Sequence, residues 1–138
     1  MARILALDYG TKRTGVAITD PFQLIASGLT TVATEDLWDF LEQYLQDEDV
    51  ERIVVGEPRQ MDNTPTEVEG AISAFLNELN KRYPKLPVSR QDERFTSKMA
   101  LRTMVEGGMK KKKRRQKETL DQISATLILQ SYLSRKTP

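Results

Sequence analysis

The chain has 138 residues, 38% hydrophobic and 30% charged, a balance that suits one soluble globular domain over 1–138 and excludes a disordered chain. It contains neither cysteine nor histidine, which removes disulfides, thiolate nucleophiles, cysteine zinc sites and imidazole bases. The net charge of +1 hides an uneven distribution: residues 110–117 read KKKKRRQK, and setting those seven cations aside from 21 leaves 14 against 20 acids.

A moderately acidic body therefore carries one concentrated cationic segment. Any chemistry must use carboxylates, Lys, Tyr, Ser or Thr. No stretch approaches the roughly 20 apolar residues of a membrane span. Asp8 interrupts the opening apolar run too early for a signal segment. A cytoplasmic address is the expectation.

Ile4 to Leu7 is a continuous apolar run, as in a buried central strand. Tyr9 to Arg13 supplies a turn, and Thr14 to Thr19 reads as the returning strand of a hairpin. Leu24 to Val32 is a third strand, in which Gly28 marks an edge or a bulge. Thr34-Glu35-Asp36 opens a helix, continued by Leu37, Phe40, Leu41, Tyr44 and Leu45 at helical spacing. Arg52 to Val55 is a fourth strand, closed by Gly56-Glu57-Pro58. Thr66 and Glu69 have capping-box spacing and predict a second helix to about Arg82. Val88 to Gln91 is a fifth strand. Thr96 to Glu106 predicts a third helix, ended by Gly107-Gly108. The basic run reads as a flexible loop over about 109–117. Leu120, Ile123, Leu127, Ile128 and Tyr132 then make a final helix with Asp121 in its first turn. The pattern predicts an α/β domain with a mixed five-stranded sheet, three strands leading, flanked by helices.

Three acidic positions lie at element boundaries: Asp8 after the first strand, Asp92-Glu93 after the fifth, and Asp121 in the last helix. Ligands commonly bind at strand ends in α/β sheets. The bland alternatives are a turn aspartate for Asp8 and a dipole partner for Asp121. Gly10 and Gly15 either permit tight turns or let a phosphate approach the backbone beside Lys12. Arg94 either binds phosphate or pairs with a neighbouring acid.

Residues 8–17, DYGTKRTGVA, resemble the opening motif of the YqgF family, the RuvX or Holliday-junction-resolvase-like proteins. Val54-Val55-Gly56-Glu57-Pro58 with Met61-Asp62 is similar to that family's V-G-L-P and M-D/N-G segments. Asp92 to Ser97 resembles its D-E-R motif, and Asp121 to Leu133 its closing helix. The four segments fall in order over nearly the whole chain. Two departures stand out: Glu57 replaces a Leu, and Ser124 replaces an Ala.

The resemblance implies a ribonuclease H-like fold and nuclease action on nucleic acid, with 5′-end processing of precursor 16S ribosomal RNA the usual assignment. It also implies an acidic catalytic and metal site of Asp8, Glu93 and Asp121, with Asp8 bridging two ions. Asp92 and Glu57 stay open as alternative second acids, the latter because related resolvases carry an acid near the end of the fourth strand. Carboxylates suit Mg²⁺ or Mn²⁺. Two of them about 4 Å apart repel by roughly 4 kcal/mol at an effective dielectric of 20, so a cation both relieves the cluster and activates water. Phosphate contacts are expected from Lys12, Arg94 and the run Lys110, Lys111, Lys112, Lys113, Arg114, Arg115 and Lys117. That run contains no aromatic residue for base stacking. The competing readings are a resolvase acting on branched DNA and a nucleic-acid-binding module without catalysis.

Overall fold

The computed structural model describes residues 2–58, 66–93 and 113–136, and in the last stretch the side chains of 119–135. Five strands, β1 (Arg3–Tyr9), β2 (Arg13–Thr19), β3 (Ala26–Ala33), β4 (Val50–Glu57) and β5 (Val88–Asp92), form one sheet in the order β3-β2-β1-β4-β5. The first three run antiparallel, while β4 and β5 run parallel to β1. A 3-10 turn (Thr34–Asp36) leads into α1 (Leu37–Asp47); α2 (Glu69–Arg82) and α3 (Lys113–Lys136) complete the described helices. None of these is long and apolar enough to cross a membrane.

Strand alternation divides the core in two. Leu5 and Leu7 of β1, Val16 and Ile18 of β2, and Ile53 and Val55 of β4 face α1 and α2, against Leu37, Leu41, Ile72, Phe75 and Leu79. Each such side chain, at 8% exposure or less, contributes about 1.5–3 kcal/mol. Phe75 anchors this layer, its ring 5.1 Å from Tyr9 and 4.9 Å from Trp38. The opposite face is built from smaller groups. Ile4, Ala6, Ala17 and Val54 meet Ala125, Ile128, Leu129 and Tyr132 of α3. Small residues there let the helix lie close to the strands.

β3 is an edge strand, and its register against β2 shifts between Val16 and Ala17, with Gly28 opposite Ala17. Gly28 thus sits at both an edge and a bulge, covered by Gln122 and Thr126 of α3. The strand starts at Ala26 and not at Leu24, because Asp20 organises the preceding loop. Its carboxylate accepts bonds from the backbone N–H groups of Phe22, Leu24 and Ile25.

The predicted capping box does not form. α2 begins at Glu69, the Thr66 hydroxyl has no partner among the described residues, and the Glu69 carboxylate is taken by Arg90. A charge-assisted, two-pronged pair outweighs a single cap bond. The last helix also starts earlier than expected. Its backbone is helical from Lys113, so Lys113 to Lys117 belong to α3 and Asp121 lies in its third turn. Lys and Arg are good helix formers, and here they continue the amphipathic segment behind them. The predicted helix over 96–106 lies outside the described residues.

Candidate active site

Asp8 is the last inward position of β1 on the α3 face, two residues beyond Ala6, and it pairs across the hairpin with Gly15. Gly15 is where α3 touches the sheet. A Cβ there would lie 2.0 Å from the Asp121 carbonyl oxygen and 3.1 Å from its Cβ. Only a glycine at that point lets the helix backbone settle beside Asp8. The role of Gly15 is therefore close approach of a helix, and Gly10 serves the turn, where a Cβ would strike the Arg13 carbonyl oxygen at 2.5 Å.

The third acid arrives from β5. Gly56 pairs with Gln91 and Glu57 with Asp92, so Gln91 and Glu93 share the α3 face with Gly56, while Arg90, Asp92 and Glu57 face α2. The Glu93 carboxyl rests over Gly56, where a Cβ would come within 2.9 Å of Glu93 Cδ and 2.7 Å of Ile128 Cδ1. The Glu93 N–H donates to the Glu57 carbonyl at 3.2 Å, extending the ladder by one residue. Asp8, Glu93 and Asp121 are the acids buried on this face, at 8%, 9% and 6% exposure.

The two alternative acids, Glu57 and Asp92, face the other side of the sheet. Glu57 lies 4.0 Å from Arg90, which also binds Glu69 and the carbonyl oxygens of Val55 and Gly56. This clamp fixes the ends of β4 and β5 to the start of α2.

Asp8 and Glu93 line a common cleft of about 570 Å³ with Tyr9, Gly10, Thr11, Pro58, Glu67 and Val68. The cleft opens at the carboxyl ends of the parallel strands β1, β4 and β5. Its turn is pinned by Thr34, whose hydroxyl donates to the Gly10 carbonyl and bonds Thr14, and whose N–H donates to the Lys12 carbonyl. Lys12 itself is exposed on that turn. Asp121 is engaged by Arg13, whose Nε donates to Oδ2 at 2.9 Å. Among the described residues no three acids are gathered tightly enough to hold a metal ion. The donor set still suits a hard divalent cation: three buried carboxylates on one sheet face, oxygen ligands throughout.

Sequence reasoning missed Arg13, Thr34, Gly56 and Glu67. For Arg13 a signal existed, since it shares parity with Gly15 and Ala17 and must face inward. Arg94, Lys110, Lys111 and Lys112 lie outside the described residues, as do the side chains of Lys113, Arg114, Arg115 and Lys117.

The chain matches the RuvX family, described as Holliday junction resolvase, over residues 2–135. It is 62% identical over 133 residues to a protein of Christiangramia forsetii named "Putative pre-16S rRNA nuclease", covering 96% of this chain and 98% of that one. A Phocaeicola vulgatus protein of the same name is 56% identical over 136 residues, covering 99% and 98%. Among solved structures, T. thermophilus RuvC in complex with a Holliday junction substrate is similar with a TM-score of 0.55 and 17% identity, covering 99% and 98%. That likeness establishes the ribonuclease H-like fold. With a family match over almost its full length, the chain belongs to the RuvX family.

Proposed function

We propose that the protein is a metal-dependent nuclease that hydrolyses phosphodiester bonds, acting in 5′-end processing of precursor 16S ribosomal RNA. The observation that carries this reading is the burial of Asp8, Glu93 and Asp121, from three separate elements, on the α3 face of the sheet, with Asp8 and Glu93 lining one cleft. The names of the relatives support the substrate.

Asp8, Glu93 and Asp121 would hold Mg²⁺ or Mn²⁺, which when bound supplies Lewis-acid activation of water and neutralises charge on the phosphodiester. The protein's own residues do the rest. Gly15 and Gly56 bring carboxylates to the sheet surface, and the Arg90 clamp holds the strand ends that carry Gly56 and Glu93. Thr34 fixes the turn that carries the exposed Lys12. Burial excludes water from the carboxylates, which strengthens their pull on any cation that enters. The cationic run, ahead of Asp121 in α3, draws a polyanion toward a site that would otherwise repel it.

The family description and the RuvC-like fold favour a second substrate, branched DNA. Incubating the protein with precursor 16S RNA fragments and with four-way DNA junctions, in Mg²⁺ and in Mn²⁺, separates the two. Cleavage of the RNA but not the junction is the expected result. Junction cleavage alone selects the resolvase, and binding of both without cleavage leaves a non-catalytic module.

A further inference from the structure

Asp121 and Arg13 are 108 positions apart in sequence, and their contact joins α3 to the first residue of β2. The Asp121 side chain is 9% exposed and that of Arg13 is 32% exposed. The two partners also differ in freedom. Asp121 cannot retreat or advance easily, because its backbone lies on Gly15, where even a Cβ has no room. The Arg13 backbone is held by the ladder and by the Lys12–Thr34 bond next to it. Its long, partly exposed side chain is the element of the pair that can swing, and surface rotamer changes take only ps–ns.

The contact uses Nε on Oδ2, on the same carboxylate that the proposed metal site needs. A guanidinium and a divalent cation beside one carboxylate compete, both for its oxygen and through mutual repulsion. A phosphodiester arriving at the cleft offers the guanidinium an anion with better fork geometry than the Nε contact to the Asp121 carboxylate.

We propose that Arg13 is a built-in counter-cation of the acidic site, holding Asp121 until a nucleic-acid phosphate draws it away, so that nucleic acid and divalent metal bind cooperatively. This inference rests on the metal-nuclease reading above. Arg13 is a positioning residue in this account: it acts on the metal through Asp121, and it exchanges that carboxylate for a phosphate. The coupling is reciprocal, so metal also tightens binding of nucleic acid by the same factor. A metal site that fills fully only when substrate is present also limits idle binding of ions by the free protein.

The test is calorimetric titration of the full chain with Mn²⁺, with and without a phosphorothioate RNA oligonucleotide that keeps its charge and resists cleavage. Wild type is compared with Arg13→Gln and Arg13→Lys. Without RNA, Arg13→Gln should bind Mn²⁺ about tenfold more tightly than wild type, and Arg13→Lys should return towards wild-type affinity. The enhancement of Mn²⁺ affinity by RNA should be about tenfold larger in wild type than in Arg13→Gln. A purely structural pair would lower the melting temperature in Arg13→Gln and leave Mn²⁺ affinity and the RNA enhancement unchanged, which overturns the proposal. Should Arg13→Gln not fold, wild type alone decides: Mn²⁺ affinity indifferent to RNA also overturns it. If wild type binds no Mn²⁺ under either condition, the metal reading of the site fails and takes this inference with it.

Discussion

Gly15 and Gly56 each occupy a point where an acidic group lies directly on the sheet, but against different kinds of atoms. At Gly15 the obstacle to a methyl group is backbone, the Asp121 carbonyl at 2.0 Å. Gly15→Ala must push α3 off β2, so a loss of about 3 kcal/mol, the upper end for overpacking, is expected in urea unfolding, with activity lost as well. At Gly56 the obstacles are the ends of two side chains, Ile128 and Glu93. Gly56→Ala should cost only about 1 kcal/mol, yet slow cleavage about 100-fold by displacing the Glu93 carboxyl. Equal effects of the two substitutions on stability would contradict this distinction. Ser124 gives the converse case. Its side chain is fully buried, with its hydroxyl unpartnered among the described residues, where the family pattern has alanine. Ser124→Ala should therefore raise stability by about 1 kcal/mol, as read from the urea midpoint.

At the level of elements, the strands were the most legible part of the sequence. β1 and β4 announce themselves as short apolar runs because they are buried on both faces. The site was legible in part: parity separates Glu93 from Asp92 once the β4–β5 register is known, but the register itself is a tertiary fact. The Thr66–Glu69 cap failed because Arg90, distant in sequence, offered Glu69 a stronger partner. The start of α3 was hidden by its charges, since a cationic run and a solvated helical turn look alike in one dimension. The backbone is helical from Lys113 onward, which puts Asp121 in the third turn of α3. Replacing Lys111, Lys113, Arg114 and Arg115 by Gln, which keeps helix propensity, should flatten the salt dependence of nucleic-acid binding. With about five phosphates engaged on a duplex, the wild-type slope of log affinity against log salt should be near −4 to −5 and become shallower by about 0.9 per lost contact. An unchanged slope would reduce the run to a solvated stretch of charge.

Across the whole molecule the two ends of the sheet are used differently. The carboxyl ends of β1, β4 and β5 carry the buried Asp8 and Glu93, the pinned turn and the cleft. The other end of β4 borders a larger hollow of about 810 Å³, among Leu45, Asp49, Val50, Tyr83 and Leu86. The acids that line it, Asp47, Glu48 and Asp49, are consecutive and exposed, unlike the buried Asp8, Glu93 and Asp121, so size alone misdirects a search for the site. α3 is the structural link, since it closes one face of the sheet with its apolar side and delivers Asp121 through the gap at Gly15.

The central claim is that these three carboxylates, and not the acids on the α2 face, perform the reaction. It is tested most directly by the rate of precursor 16S RNA cleavage in Mg²⁺ or Mn²⁺ for five variants, each checked for an unchanged melting transition. Asp8→Asn, Glu93→Gln and Asp121→Asn keep side-chain shape and should abolish cleavage, whereas Asp92→Asn and Glu57→Leu should retain it. Loss of cleavage in Glu57→Leu together with full activity in Glu93→Gln would contradict the account.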